Sequence, residues 1–194
     1  MGERYTIEEF VHEIPIEEYL VRFHNPAEVW GYCHACSNYG KQWGCPPFDF
    51  DVVERLSRYR TIRLIATKIT LHDRSISPCE IDAVLRPERI RLEKALLDME
   101  RECDGLACTY IGKCLHCTEG ACARLNGKPC CHPELVRPSL EAYGFDVART
   151  LSELFNIELQ WSNNGSLPEY LVLVCGVLYN ASYDRLSISI LKPR

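Results

Sequence analysis

The sequence lacks a basic excess and lacks any long apolar run, and each absence excludes a class of function. Its 194 residues carry a net charge of −5, whereas binding to phosphate backbones normally shows as a basic excess or a basic stripe. We therefore expect no nucleic-acid partner. The longest apolar run, YLVLVCGVLY from Tyr170 to Tyr179, is about half the length needed to cross a bilayer. We expect it to be a buried strand, and we expect no membrane partner.

Two further absences concern the start of the chain and its catalytic chemistry. The first residues, MGERYTIEEFVHEIPIEEYLVRF, carry scattered acidic residues and no apolar core before a small-residue cleavage site. We therefore expect no signal peptide and a cytoplasmic location, where thiols stay reduced and disulfides are disfavoured. The sequence also has no nucleophile elbow, phosphate-cradling glycine loop or supported carboxylate pair, so hydrolase and transferase chemistry have no candidate residues.

Cysteine, in contrast, is abundant, at 12 of 194 residues. In a cytoplasmic chain this number indicates metal binding or redox chemistry rather than a disulfide framework. The segment GKCLHCTEGACARLNGKPCCHP, residues 112–133, has the spacing C-x2-C-x4-C-x7-C. Four thiolates on one short loop suit a [4Fe–4S] cluster, although the spacing differs from the compact bacterial ferredoxin pattern. The four cysteines of this set are Cys114, Cys117, Cys122 and Cys130.

A second segment, CHACSNYGKQWGCPP, has the spacing C-x2-C-x8-C-P and contains three local thiols, Cys33, Cys36 and Cys45. Aromatic residues surround these thiols, and such an apolar shell would exclude water and tune a reduction potential. The fourth ligand must come from a distant residue or a non-protein group, or be missing. The candidate thiols for it are Cys79, Cys103, Cys108 and Cys131.

Zinc and ordinary burial are the two alternatives to iron–sulfur chemistry. Structural zinc sites also use cysteine tetrads with C-x-x-C pairs. Zinc ribbons, however, usually have two such pairs, whereas each segment here has one, so we favour iron–sulfur and keep zinc as the runner-up. Cys175 lies inside an apolar strand and is interpreted as a core residue, while Cys79, Cys103 and Cys108 stay open between core and ligand roles. Three histidines flank the thiols and are expected near the sites, bonding to sulfur, rather than as ligands: His34, His116 and His132.

The apolar pattern predicts an α+β or α/β fold, with one mixed β-sheet covered by helices and cysteine-rich loops around it. We treat residues 1–194 as a single domain, with a small N-terminal lobe over residues 1–51 as the alternative. Strands are predicted over 61–71, 157–161 and 169–179, with a returning strand in GLACTYIG and an SNNGSLP turn segment that joins the last two. Helices are predicted after Asp49 or Asp51, over 86–103 with Pro87 in the first turn and Ile90 on the apolar face, over 137–144, and over 146–155 with Asp146 as the cap. Asp104-Gly105 is expected to end the 86–103 helix. Residues 32–47 are predicted to be a loop.

Together, CHACSNYGKQWGCPPFDFD and GKCLHCTEGACARLNGKPCCHPELVRPSLEAYGFDV resemble an uncharacterised family of cysteine-rich predicted metal-binding proteins common in anaerobic bacteria and archaea. The similarity runs over most of the chain and includes the ERIRLEKALL helix. It implies one metal-binding set at Cys33, Cys36 and Cys45, and the other at Cys114, Cys117, Cys122 and Cys130. The adjacent Cys131 leaves open which of the two neighbouring thiols is the ligand.

The leading hypothesis is an iron–sulfur protein that passes single electrons to a partner redox enzyme. The four-cysteine set would hold a [4Fe–4S] cluster, and the three-cysteine set a second metal centre. One alternative is an enzyme in which a three-cysteine cluster leaves an iron open to bind substrate. A zinc-stapled structural or interaction module is another, and a reactive-thiol redox sensor is the weakest.

Overall fold

The fold is given by a computed structural model that describes residues 5–72, 80–117, 121–161 and 167–180. Within these ranges the strands are β1 Tyr5–Pro15, β2 Thr61–Leu71, β3 Leu106–Cys108 and β4 Tyr170–Tyr179. The α-helices are α1 Ile16–Phe23, α2 Pro26–Ala35, α3 Val52–Leu56, α4 Ile81–Cys103 and α5 Val147–Thr150. A π-helical turn, Leu151–Phe155, continues α5, and a 3-10 turn spans Ala123–Asn126. No helix in these ranges has both the length and the apolar character to cross a membrane.

One four-stranded sheet, in the order β1-β2-β4-β3, forms the centre of the fold. Strands β1 and β2 pair antiparallel along their whole length, from Tyr5 opposite Leu71 to Pro15 opposite Thr61. Strand β4 pairs antiparallel with β2 on one side and with β3 on the other, and a parallel bridge from Thr109 to Ser139 flanks β3. The predicted α+β class, with one sheet covered by helices, is confirmed, although the pairings between the four strands are all antiparallel rather than mixed.

The sheet buries both of its faces. Successive side chains of a strand point to opposite faces, so Ile62 and Leu64 of β2 lie in one core while Ile65 and Ile69 lie in the other. The first core is closed by α1, α3, α5 and the π-helical turn, and the second by α4. Burial on both sides explains why β4 is apolar at nearly every position instead of alternating with polar residues.

Side-chain caps set the starts of two helices as the sequence predicts. The Asp51 carboxylate accepts the Glu54 N–H at 2.8 Å and starts α3, and the Asp146 carboxylate accepts the Arg149 N–H at 2.9 Å and starts α5. These bonds satisfy amides that have no partner inside the helix. Helix α4 ends at Asp104, which takes a left-handed conformation with φ 47°, as the predicted Asp104-Gly105 stop requires.

Several element boundaries differ from the sequence-based predictions. Helix α4 begins at Ile81, so Pro87 lies inside the helix, and Ile90 is 53% exposed rather than on the buried face. The predicted helix over 137–144 is a series of turns, and residues 157–161 do not pair as a strand. The apolar periodicity gave wrong predictions at these places because contacts with neighbouring elements determine the backbone conformation there. The first part of the predicted 32–47 loop belongs to α2, and most of the predicted SNNGSLP turn lies outside the described residues.

Candidate metal centre

The N-terminal cysteine loop, residues 33–47, begins in the last turn of α2. Cys33 lies within that turn, and Cys36 caps the helix with its N–H bonded to the Cys33 carbonyl at 3.0 Å. The helix is fixed to the core because the Trp30 indole N–H donates to the Ala142 carbonyl at 3.2 Å. Two of the three thiols in this set are therefore placed by a rigid element.

The remainder of the N-terminal cysteine loop folds back on itself and returns Cys45 towards the helix end. The Gly40 N–H bonds the Pro46 carbonyl at 2.9 Å, and the Cys45 N–H bonds the Gln42 carbonyl at 3.1 Å. The pKa of the Cys45 thiol is raised to about 11, first by burial and then by the charges of Cys36 and Cys33, while Arg124 acts to lower it. The three thiols are thus close enough to influence one another electrostatically.

The C-terminal cysteine loop, residues 110–136, is tied at its two ends. The Thr109 hydroxyl donates to the Arg137 carbonyl at 2.7 Å, and the Thr109 N–H bonds the Pro138 carbonyl at 2.9 Å. The Arg137 guanidinium donates to the Glu100 carboxylate, with Nε to Oε2 at 2.8 Å, and the same Oε2 accepts the Ala107 N–H at 2.6 Å. Both ends of the loop are therefore anchored close to the short connection between α4 and β3.

Helix α4 also holds the first residues of the C-terminal cysteine loop. Arg89 donates to the Lys113 carbonyl at 2.6 Å, and Glu93 accepts the Tyr110 hydroxyl at 2.9 Å while also pairing with the His116 ring. Gly112 has φ +134°, and a Cβ there would lie 2.7 Å from Arg89 Nη2. Only glycine allows this backbone to pass so close to the guanidinium.

The thiols of the C-terminal cysteine loop form one electrostatic group. Burial is the largest cause of the raised pKa of Cys114, and the charges of Cys122 and Cys130 add to it. The pKa of Cys117 is also raised, first by desolvation and then by Cys131 and Cys114. All four predicted ligands, together with Cys131, are free thiols in the structure.

Two loop thiols accept a hydrogen bond from the backbone N–H two residues later. The Asn38 N–H points to Cys36 Sγ at 3.5 Å, and the His132 N–H points to Cys130 Sγ at 3.4 Å. A backbone hydrogen bond from His116 lowers the pKa of the Cys114 thiol, against the larger effect of burial, which raises it. An N–H directed at sulfur favours the charged thiolate, the form that binds metals.

The histidine rings have other partners than the sulfurs expected from the sequence. His34 Nε2 lies 2.9 Å from the Tyr39 hydroxyl, and His116 pairs with Glu93. His132 Nδ1 is 4.0 Å from the Glu134 carboxylate. Their peptide groups, rather than their side chains, supply the contacts to sulfur at Cys114 and Cys130.

The other cysteines have different surroundings. Cys108 and Cys175 are fully buried, burial raises the pKa of both thiols, and the Cys175 S–H donates to the Ile65 carbonyl at 3.8 Å. Cys103 is buried at the end of α4. Cys131 is exposed, and Cys79 lies outside the described residues. The structure therefore places Cys103 and Cys108 in the core.

The two cysteine loops contact each other directly. The Arg124 guanidinium donates to the carbonyls of Gln42 at 2.6 Å and Cys45 at 2.5 Å. The Gln42 side chain in turn accepts the Cys114 N–H at 2.6 Å, and the Trp43 indole donates to the Lys128 carbonyl at 3.2 Å. Sequence reasoning missed Gln42 and Arg124, because a side chain that bonds a distant backbone leaves no spacing or residue pattern to detect.

The chemistry of the donors can be tested against a metal. In the described part of the chain, no three His, Cys, Asp or Glu side chains are arranged as a group that could hold one metal ion. The donors nevertheless fit a soft metal, because all seven predicted ligands are free and none is sealed in the core. Several of them accept N–H groups, and thiolates are the ligands of iron–sulfur clusters and zinc.

Comparison with known proteins gives one match. The family model described as "Predicted metal-binding protein (DUF2284)" matches residues 17–179, a range that includes both cysteine loops. No curated protein and no solved structure matched the chain. The predicted resemblance, and metal binding as the general role, agree with this match.

Proposed function

The chain belongs to this family of predicted metal-binding proteins, and we propose that it is a cytoplasmic iron–sulfur protein that passes single electrons to a partner redox enzyme. Cys114, Cys117, Cys122 and Cys130 would hold a [4Fe–4S] cluster. The N-terminal set would hold a second metal centre through Cys33, Cys36 and Cys45. When bound, the cluster supplies one-electron transfer, and its potential depends on hydrogen bonds to sulfur and on exposure.

The observation that carries this proposal is the pattern of backbone N–H groups directed at loop sulfurs. Cys36 and Cys130 each accept such a bond from the residue two positions later, at 3.5 Å and 3.4 Å, and a backbone hydrogen bond from His116 lowers the pKa of Cys114. The bond stabilises negative charge on sulfur without adding a competing ligand. A neutral structural thiol has no negative charge for the N–H to stabilise, whereas a metal-bound thiolate does.

The same observation supports Cys130 over Cys131 as the fourth ligand of the C-terminal set. Cys130 is partly buried and accepts the His132 N–H, while Cys131 is exposed. A ligand needs a fixed position and a stabilised charge, and Cys130 has both. Cys131 would then lie beside the centre, where its charge acts on Cys117.

The test is metal analysis on protein purified without air. We expect iron and acid-labile sulfide in the full chain, and loss of both when Cys114, Cys117, Cys122 and Cys130 are changed to serine together. The matched control is Cys131→Ser, which should retain the cluster if Cys130 is the ligand. Stoichiometric zinc with no sulfide would replace this proposal with the zinc-stapled module.

A second candidate function follows from a cavity beside the three-cysteine set. A cavity of about 260 Å³ is walled by Trp30, Tyr39, Phe48 and Phe50, with Pro46 directly following Cys45. An iron site with three protein thiolates leaves one position for substrate, and this cavity offers an apolar space next to it. The enzyme hypothesis predicts that small ligands change the electron paramagnetic resonance spectrum of that centre, and that Trp30→Ala removes the change.

A further inference from the structure

Arg124 and Gln42 form reciprocal bridges between the two cysteine loops. Arg124 stands two residues after Cys122 and donates to the carbonyl of Cys45, a predicted ligand in the other loop. Gln42 stands three residues before Cys45 and accepts the N–H of Cys114, a predicted ligand in the C-terminal cysteine loop. Each bridge therefore runs from the neighbourhood of one ligand to the peptide of a ligand in the other set.

The contact is specific in shape rather than a simple attraction between charges. One guanidinium reaches three carbonyls, those of Gln42, Cys45 and Pro47, and also lies 5.2 Å from the centre of the Trp43 ring. The planar fork of arginine suits several acceptors at fixed angles, and a lysine ammonium does not reproduce it. Small shifts of either loop would break several of these bonds at once.

Burial makes these bridges difficult to break one at a time. Gln42 is 7% exposed and uses its side chain in both directions, with Nε2 donating to Asn38 at 2.6 Å and Oε1 accepting from Cys114 at 2.6 Å. When a buried polar group loses its hydrogen-bond partner, the folded state is destabilised by the full desolvation penalty of that group. The two loops are thus held in one joint arrangement.

We propose that the two cysteine sets bind metal cooperatively, with Arg124 and Gln42 as the positioning residues that couple them. This inference rests on the proposed function, since it requires that both sets bind metal. Coupling between two sites is reciprocal by thermodynamic necessity, so each set must strengthen binding at the other by the same factor.

The experiment titrates the full chain with Co²⁺ without air and follows thiolate-to-cobalt absorption. We change Cys33, Cys36 and Cys45 to serine together and measure the affinity of the C-terminal set, then change the C-terminal set and measure the other. We expect each change to weaken the remaining set by about tenfold, a typical coupling strength. In the Arg124→Gln background the two sets should no longer affect each other.

Three controls separate the explanations. Arg124→Lys keeps the charge but not the fork and should lose the coupling, so that wild-type coupling in this variant would overturn the role of Arg124 as a positioning residue. Arg58→Gln removes an exposed arginine elsewhere and should leave the coupling unchanged. Gln42→Leu gives a second route to uncoupling if Arg124→Gln fails to fold, which circular dichroism of the metal-free chain would detect.

The two possible failures are distinguishable. If removal of either cysteine set leaves the Co²⁺ affinity of the other set unchanged while Arg124 and Gln42 are intact, cooperative binding is wrong and metal binding stands. If neither set gives thiolate-to-cobalt absorption, the proposed function fails together with the inference.

Discussion

The core thiols and the loop thiols of this protein use sulfur in opposite ways. In the core, Cys175 donates its S–H to the Ile65 carbonyl and Cys108 is fully buried, and burial raises the pKa of both. In the loops, Cys36 and Cys130 accept N–H groups and keep contact with solvent. The core holds the thiol as a small apolar side chain, whereas the loops give sulfur an N–H donor and access to solvent, as a metal ligand needs.

Cys103 shows that one contact is not sufficient to assign a role. A backbone hydrogen bond from Gly105 lowers its pKa, as one from His116 lowers that of Cys114. Its S–H, however, donates to the Glu100 carbonyl at 4.0 Å, and the residue is 9% exposed and packs in the core under α4. The combination of an accepted N–H, partial exposure and neighbouring thiols distinguishes a candidate ligand.

The largest effect is expected from a single loop thiol. Cys114→Ser should abolish the C-terminal cluster, measured as iron and sulfide per chain, because a hydroxyl is a poor ligand for iron in such clusters. The stability of the metal-free chain should change little, since Cys114 is not part of the core. Retention of a full cluster in this variant would remove Cys114 from the ligand set.

The next effect concerns the anchor of the C-terminal cysteine loop. Arg137→Ala removes the partner of Glu100 in a pair whose side chains are 18% and 14% exposed. Leaving a largely buried carboxylate without its cation should lower the free energy of unfolding by about 3 kcal/mol, measured by urea denaturation. Arg58→Ala is the control, because its pair with Glu54 is 69% and 72% exposed and should contribute about 0–1 kcal/mol. Equal effects at the two positions would contradict the anchoring role.

A smaller effect is expected from a core thiol. Cys175→Ser places a hydroxyl in an apolar strand and should lower the free energy of unfolding by about 1–2 kcal/mol, the cost of burying a poorly compensated polar group. Iron and sulfide content should be unchanged. Cluster loss in this variant, at a temperature where the chain stays folded, would contradict the assignment of Cys175 as a core thiol that takes no part in metal binding.

The smallest effect is a pH dependence at Glu141, whose Oε2 is buried without a hydrogen-bond partner among the described residues. Burial raises the pKa of this carboxyl above its ordinary 4.5, so the folded state favours the protonated form. Its stabilising contribution is complete below the unfolded pKa and is lost as pH rises through the folded pKa. Glu141→Gln should therefore become more stable than the native chain as pH rises above 4.5, measured by thermal unfolding of metal-free protein.

Glu153 provides the control of opposite sign. Hydrogen bonds from Arg149 and Arg22 lower the pKa of the Glu153 carboxyl, so its stabilising contribution is present above the unfolded pKa and lost as pH falls. Glu153→Gln should thus be the less stable chain at neutral pH. Matching pH profiles for the two variants would contradict both assignments.

Sequence patterns predicted strands β2 and β4 better than the connections between the elements. Strand β2 was predicted over its observed range, since β-branched residues over 61–71 have few other favourable conformations. The segment over 137–144 was predicted as a helix but forms turns, because the bonds of Thr109 to Arg137 and Pro138 fix it against β3. The contacts of Arg124 were invisible for the same reason: they are made with partners far away in the sequence.

The closure of the C-terminal cysteine loop at its base has a consequence for how this protein can vary. Thr109 and Arg137 meet across that base, and Glu100 fixes the junction to the helix. The polypeptide between them leaves and rejoins the framework at one junction, and its other contacts are with α4 and the N-terminal cysteine loop. A change in the length of this segment would therefore leave the strand pairing unaltered, whereas moving it to another scaffold would require the partners of Gln42 and Arg124 as well.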